Sequence, residues 1–266
     1  MKDQNFVVNK NLSLSEDLFE EIYSSYKNKI FNFAYKMIGN RSIAEDITQE
    51  TFIQVYRNYR SFKGKSKLLT WIYTIAKNFC FQHLKKTKKS SFQLLEHLIN
   101  NNINSDEINK YEYLEKKLYV YQVKEGCLLG LLRCLSFNQR LAFILNILFE
   151  ISIKDVSAII NKSENSTRIL IYRARNNLKK FLCKNCSLYD NKNKCRCENL
   201  ISFSLKQNWI KKYEYSVPRH TIETEIKEFK NEILLYKTLK NYDLNKKISE
   251  IIDNKNFFIF SEKKVK

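Results

Sequence analysis

Apolar residues recur at intervals of three and four along most of the chain up to residue 182, the spacing of helices that bury one face. The first such stretch follows Ser13-Leu14-Ser15-Glu16, a capping box that predicts a helix start. It ends at Gly39, a residue type that commonly terminates helices. Its apolar positions are Leu18, Phe19, Ile22, Tyr26, Ile30, Phe33, Ala34 and Met37.

A second helix is predicted from about residue 43, after a capping box that begins at Ser42. At about 100° per residue, its apolar positions form one face and a polar group forms the opposite face. Spacing alone favours an ordinary solvated face, and a binding surface for a partner is the alternative. The core face is Ala44, Ile47, Thr51, Val55 and Tyr59, with Phe52 and Tyr56 at its edge, and the polar face is Asp46, Gln49, Glu50, Ile53 and Arg57.

A third helix is predicted over residues 68–86, after a basic loop at residues 61–67. Along one edge of this helix an aromatic ring, an amide and a cation lie beside the core stripe. Rings stack on unpaired bases, amides bond base edges and lysines hold phosphates, so this edge suits single-stranded DNA. A tryptophan at the rim of the core is the structural alternative. The edge consists of Trp71, Thr74, Asn78 and Lys85.

A helix-turn-helix is predicted after a linker at residues 90–105 and a helical stretch from Asp106 to Leu135. Its helices cover residues 138–150 and about 153–160, and the last begins after Ser163. A helix docked in the major groove presents early residues to base edges and later cations to phosphates. The outward face of the last helix carries Asn165, Arg168, Ile169, Tyr172, Arg175 and Lys179.

Composition supports an all-α fold, because 4 Gly and 1 Pro among 266 residues are too few for the turns of a β-rich chain. The net charge of +19 favours a polyanionic partner, nucleic acid before an anionic membrane surface, although a lysine-rich compositional bias gives the same charge. The N-terminus has no signal pattern, and no run reaches the roughly 18 apolar residues that span a bilayer. We therefore expect a cytoplasmic protein.

Seven cysteines in such a chain indicate free thiols or metal ligands rather than disulfides. Four of them follow the helix-turn-helix with the spacing Cys183-x2-Cys186-x8-Cys195-x-Cys197. Four thiolates suit a structural Zn²⁺ ion, and redox sensing or thiols without a ligand are the alternatives. No other cofactor is required. Farther on, an amphipathic helix that packs on the rest of the chain is predicted from Ile222, Ile226, Phe229, Ile233 and Tyr236.

Three blocks, in this order, resemble the extracytoplasmic-function (ECF) class of sigma-70 family transcription initiation factors. Residues 46–52, Asp-Ile-Thr-Gln-Glu-Thr-Phe, resemble the polymerase-binding helix of the family. Residues 70–78, Thr-Trp-Ile-Tyr-Thr-Ile-Ala-Lys-Asn, are similar to its promoter-melting and −10-reading helix, and residues 172–178, Tyr-Arg-Ala-Arg-Asn-Asn-Leu, are typical of its −35-reading helix. The first two blocks belong to sigma region 2 and the third to sigma region 4. No sigma region 3 lies between these regions, as expected of the ECF class.

The resemblance extends to a subgroup with a cysteine-bearing C-terminal extension, through residues 127–135, 139–142 and 186–197. Prolines that are usual between the last cysteines are absent here. Leu170 stands where many relatives carry a basic residue, so the details of the −35 contacts differ.

The resemblance implies an all-α protein of two helical domains joined by a linker, with a Cys-rich extension. The implied divisions are a disordered lead at 1–12, sigma region 2 as a helical bundle at 13–92, a linker and connecting helix at 93–125, the region 4 helix-turn-helix at 126–182, a Cys-rich segment at 183–198 and an extension at 199–266.

The implied function is that of an alternative RNA polymerase sigma factor, which binds core polymerase, recognises −10 and −35 promoter elements and promotes initiation without catalysis. A helix-turn-helix regulator that acts without polymerase is the alternative, although it has no use for the acidic helix. A nucleic-acid enzyme is disfavoured, since no phosphate-binding glycine loop is found and His83, His97 and His220 are scattered. An anti-sigma factor is a further candidate partner, whose existence the sequence leaves open, and no membrane partner is expected.

The predicted site residues fall into four groups, three implied by the resemblance and the zinc ligands suggested by cysteine spacing alone. They are Asp46, Gln49, Glu50, Phe52 and Ile53 for polymerase; Lys63, Lys65, Trp71, Thr74, Asn78 and Lys85 for −10 DNA; Asn165, Ser166, Arg168, Ile169, Tyr172, Arg173 and Arg175 for −35 DNA; and Cys183, Cys186, Cys195 and Cys197 for zinc.

Overall fold

The computed structural model describes residues 15–87, 90–103, 113–207 and 232–237, together with positions 210, 239 and 241. Across these residues the chain is helical and forms no strand, as the sequence predicts. None of the described helices is long and apolar enough to cross a membrane. The helices are α1 (Glu16–Ile38), α2 (Arg41–Asn58), α3 (Leu68–Lys85), α4 (Phe92–Asn100), α5 (Tyr113–Cys134), α6 (Phe137–Phe143), α7 (Ile153–Ile160), α8 (Glu164–Asn185), α9 (Ile201–Lys206) and α10 (Glu232–Lys237).

The first two helices meet at a tight turn. Gly39 ends α1 in the left-handed region at φ 78°, as predicted. Asn40 then caps α2 at once, because its Oδ1 accepts the N–H of Ile43 at 3.1 Å. The predicted capping box at Ser42 is therefore wrong, since the helix has already begun at Arg41. Likewise, α1 is capped by Ser15 rather than by the first serine of the predicted box.

Helices α1, α2 and α3 form a bundle with an aromatic core. Phe33 and Tyr73 meet edge to face with ring centroids 5.3 Å apart, and Tyr23 meets Phe52 in the same way at 4.9 Å. Such pairs add to the stabilisation that apolar burial provides. The buried predicted positions are Ile22, Tyr26, Ile30, Phe33, Ala34 and Met37 of α1, Ala44, Ile47, Thr51 and Val55 of α2, and Tyr59 directly after α2.

The linker prediction for residues 90–105 is wrong over Phe92–Asn100, which form α4. Ser91 caps this helix, and Leu95 and Ile99 are buried one turn apart. A helix of 9 residues is too short for its periodicity to stand out in the sequence. The predicted helix start at residue 106, and the predicted helix at 222–236 before α10, lie outside the described residues.

The helix-turn-helix is confirmed in α6, α7 and α8. Ser152 and Ser163 cap α7 and α8, each accepting the N–H of the third residue on, at 3.1 Å and 3.2 Å. Asn161 makes the turn between them at φ 59°. The helix predicted over residues 138–150 instead begins at Phe137 and changes after Phe143 into π-helical turns over 144–148.

The bundle and the helix-turn-helix pack directly on each other. Arg140, which is 6% exposed, donates from Nη1 to the carbonyl of Met37 at 2.6 Å. Lys77 of α3 donates to the carbonyl of Ile159 in α7 at 2.9 Å. Buried residues of both domains belong to one continuous core. The sequence predicted two linked domains, and only the structure shows that they are docked.

Candidate polymerase and nucleic-acid interfaces

The polar face of α2 points outward. Asp46, Gln49 and Glu50 are exposed, and Ile53 exposes 49% of its surface beside them. The opposite face is buried in the bundle, which fixes the orientation of the helix. The structure thus brings four of the five predicted polymerase contacts to one exposed surface, which we call the acidic face (Asp46, Gln49, Glu50 and Ile53).

The fifth predicted contact, Phe52, requires a correction. It is 2% exposed and packs on Tyr23, so it supports α2 from inside and cannot touch a partner. Tyr56, which the sequence placed at the edge of the core, is instead 49% exposed. Its ring meets the half-buried ring of Phe19 edge to face at 5.1 Å, at the margin of the bundle. Tyr56 therefore extends the acidic face with an apolar surface one turn after Ile53.

The predicted −10 residues line the loop before α3 and one edge of that helix. Gly64 turns the loop at φ 68°, and Lys63 and Lys65 are exposed on either side of it. Asn78 and Lys85 are exposed farther along α3. Trp71 is half-buried, with its ring tilted on Phe62 at a centroid distance of 5.3 Å. Trp71 therefore lies at the rim of the core, as the structural alternative has it, and its indole is also partly exposed for a base. Phe62 supports the ring on its buried side.

One member of this edge is less available. Thr74 is half-buried, and its hydroxyl donates to the carbonyl of Thr70 at 3.0 Å, a bond within the helix. The oxygen can still accept a hydrogen bond.

The predicted −35 residues lie on the outer face of α8. Tyr172 is 66% exposed and Ile169 43% exposed, whereas Thr167, Ile171 and Ala174 of the same helix are buried. The remaining predicted contacts, Asn165, Ser166, Arg168 and Arg173, are exposed, and Arg175 is half-buried.

The N-terminal turn of α8 has its own polar contacts. The N–H of Ser166 donates to Ser163 Oγ, and Arg168 pairs with Glu164 at 3.3 Å. Both members of that ion pair are about half-exposed, with side-chain exposures of 57% and 48%, so it stabilises the helix little and gives way easily to a phosphate or base. Leu170 on the same helix is half-buried.

The cysteine segment folds back beside α5. A parallel backbone bridge joins Cys186 to Cys195, and the N–H of Ser187 donates to the Cys195 carbonyl at 3.1 Å. The pKa of Cys127 on α5 is raised well above its usual value, chiefly by burial and further by the neighbouring thiols of Cys195, Cys186 and Cys197. Cys127 thus lies close to these three thiols, which the sequence spacing did not indicate.

The fourth predicted ligand, Cys183, is exposed at the end of α8. Among the residues that the structure describes, no three Cys, His, Asp or Glu side chains are grouped so as to hold a metal ion. Burial and neighbouring Cys186 raise the pKa of Cys195 to about 12, which favours the neutral thiol of that residue. Zinc binding stays a prediction.

Comparison with known families accounts for both helical domains. Residues 22–90 match the model of sigma-70 region 2, and residues 125–178 match that of sigma-70, region 4. The two matches, in this order on an all-helical fold, define a sigma-70 type transcription initiation factor. The chain is 31% identical over 163 residues to the ECF RNA polymerase sigma factor SigM of Bacillus subtilis, covering 60% of this chain and 92% of SigM. It belongs to the ECF RNA polymerase sigma factors and is an alternative sigma factor.

Two further proteins are similar to this chain over a comparable length. The RNA polymerase sigma factor YlaC of B. subtilis is 27% identical over 169 residues, which cover 63% of this chain and 94% of YlaC. The chain is also similar to the sigma factor RpoE of Bartonella quintana, solved in complex with the anti-sigma factor NepR, with a TM-score of 0.45, 21% identity and coverage of 64% of this chain and 98% of that one. Both family models end by residue 178, before the cysteine segment.

Proposed function

We propose that the protein contacts core RNA polymerase through the acidic face of α2. The exposure of Ile53 and Tyr56 one turn apart carries this proposal, because two large apolar side chains beside Asp46 and Glu50 form an apolar centre with a polar rim. A face that met only water would gain nothing from them. The residue-level role of this face was implied by the family resemblance, and its geometry supports it.

The loop before α3 and the exposed edge of that helix are proposed to hold the −10 element. Lys63, Lys65 and Lys85 would neutralise phosphates, and Asn78 would bond a base edge. Trp71, held in place by Phe62, would stack on an unpaired base, a contact worth roughly 1–3 kcal/mol in other proteins. The protein performs no chemistry in this scheme, and it acts where polymerase acts, in the cytoplasm.

The outer face of α8 is proposed to read the −35 element. We expect Arg168→Ala to weaken initiation at a promoter with an intact −35 element by about tenfold, since a specific arginine–base contact is worth about 1–3 kcal/mol. The matched control is Arg196→Ala, which removes an exposed arginine outside α8. Initiation rates of the three proteins with the same core polymerase measure the effect, and equal losses in both variants would contradict the assignment.

Run-off transcription tests the proposed function as a whole. Purified protein and core polymerase are incubated with genomic DNA fragments, and discrete transcripts that share upstream −10 and −35 sequences are expected. Each domain alone has few base contacts, so the free protein should bind duplex DNA weakly and with steep salt dependence. Tight, fully specific binding to duplex DNA without polymerase, and without transcripts, would favour the repressor interpretation instead.

The cysteine segment carries a separate proposal of structural zinc. The nearness of Cys127 to Cys186, Cys195 and Cys197 supports a ligand set in which Cys127 replaces the exposed Cys183. Binding would require the thiols to turn toward one another, because the described residues contain no group already arranged for a metal. Metal analysis of protein purified under reducing conditions, beside a Cys195→Ser/Cys197→Ser variant, decides between zinc and free thiols.

A further inference from the structure

The C-terminal extension is anchored in the helix-turn-helix domain by α10. Tyr236 is completely buried, and its ring meets that of Phe143 edge to face at 5.3 Å. The next residue, Lys237, pairs with Glu150 at 2.8 Å, at the start of the turn that leads to α7. The burial of the Tyr236 ring holds α10 against the helix-turn-helix domain, because detaching α10 would expose a large apolar surface to water.

The same segment reaches the region 2 bundle through Lys36. This lysine of α1 is 3% exposed, and its Nζ donates to Asn241 Oδ1 at 2.7 Å. It also lies over the ring of Phe149, which belongs to the helix-turn-helix domain, at 5.6 Å from the centroid. Glu125 on the connecting helix α5 lies near enough to favour its charged form. Lys36 therefore contacts or faces both domains, the connector and the extension.

The docked arrangement brings the two DNA-reading helices close together. Lys77 of α3 donates to the carbonyl of Ile159, and Glu164 at the start of α8 follows five residues later. Five residues span at most about 18 Å, so the base-reading end of α8 lies within that distance of the contact. Another contact between the domains is the Lys67–Asp155 pair at 3.5 Å.

This separation is far smaller than the promoter requires. Elements centred at −10 and −35 lie about 25 base pairs apart, or about 85 Å along B-form DNA. Helix α3 is itself only about 27 Å long at 1.5 Å per residue. One chain in the docked arrangement cannot contact both elements, although the outer face of α8 remains exposed for one of them.

We propose that Tyr236, Lys237 and Asn241 of the C-terminal extension form an intramolecular latch that holds the two DNA-reading domains together and must release before a promoter is bound. This inference rests on the proposed function, in which α3 and α8 read the two elements. Tyr236 fixes the latch to the helix-turn-helix domain, and Asn241 closes it on Lys36 of the bundle. Release frees the domains to separate along the DNA.

The test uses full-length chains with substitutions in the latch. Lys237→Glu/Asn241→Ala removes the Lys237–Glu150 and Asn241–Lys36 contacts and places a carboxylate beside Glu150. Both substituted positions are exposed, so the fold should remain intact. Lys206→Glu/Gln207→Ala is the matched control, with the same change of charge at exposed positions of the same extension. Tyr236→Ala is a second, stronger latch variant. Small-angle X-ray scattering of the free chains and run-off transcription at limiting protein concentration are the two measurements.

The latch variants are expected to have a larger radius of gyration than the parent and control. They should reach half-maximal transcription at a concentration lower by about fivefold or more, the usual size of such couplings. Equal radii and equal transcription for parent, control and Lys237→Glu/Asn241→Ala would overturn the latch, as would lower transcription in a variant that folds. The scattering measurement needs no polymerase, so it decides the latch even if transcription fails and the proposed function with it.

Discussion

Replacing both Asp46 and Glu50 by lysine is expected to abolish co-purification of the protein with core RNA polymerase. The two carboxylates are exposed on α2, so the fold should survive, while the acidic face changes its charge by four units. Like charges brought together at an interface cost several kcal/mol, which corresponds to a loss of affinity of about a hundredfold or more. The measurement is affinity capture of core polymerase by the tagged protein.

The matched control is Glu20→Lys/Glu21→Lys on α1, which makes the same change of charge at exposed positions of the same bundle. This control should retain binding, because its change of charge lies outside the acidic face. If the Asp46→Lys/Glu50→Lys protein captures polymerase as well as the parent does, the acidic face is not the polymerase-binding surface.

Lys36→Met is expected to stabilise the protein at neutral pH and to remove a pH dependence that the parent shows under alkaline conditions. Burial lowers the pKa of Lys36 from 10.5 to about 8, against the opposing influence of Glu125. Between these two values the unfolded chain holds a proton that the folded chain has released. The free energy of unfolding of the parent therefore rises with pH across this window, relative to Lys36→Met, by up to about 3 kcal/mol.

Chemical denaturation of both proteins at several pH values between 7 and about 11 measures this difference. The matched control is Lys29→Met, on the exposed side of the same helix, which removes a lysine without removing a buried charge. A parent and a Lys36→Met variant whose stabilities run parallel through the whole range would show that Lys36 is not buried as a cation in solution.

The helices and their faces were predictable because they depend on local sequence. Ile47, Val55 and Ile171 fall at helical spacing, and each is buried where that spacing put it. The same periodicity placed Asp46 and Tyr172 on outward faces without any knowledge of the neighbouring helices. The motifs gave the order of the two regions, which the family comparison confirmed.

Local signals were weaker where two interpretations competed. Ser42 fitted a capping box, but Asn40 stood directly after the left-handed turn at Gly39 and capped the helix first. Phe52 and Tyr56 both lay at the edge of the predicted core face, and only the packing of Tyr23 and Phe19 decided which ring was buried. A shift of a few tens of degrees around a helix axis separates these outcomes, which periodicity alone does not resolve.

By itself, the sequence determined the all-α class, the positions of the main helices of both domains and the outward faces of α2 and α8, because each depends on residues within a few turns of one another. Only the tertiary structure decided that the two domains are docked, that Cys127 lies near Cys186, Cys195 and Cys197, and that Asn241 reaches Lys36. Asn241 lies 205 positions from Lys36 along the chain. Contacts of this kind depend on how helix faces fit together in three dimensions, and no local period or cap encodes that fit.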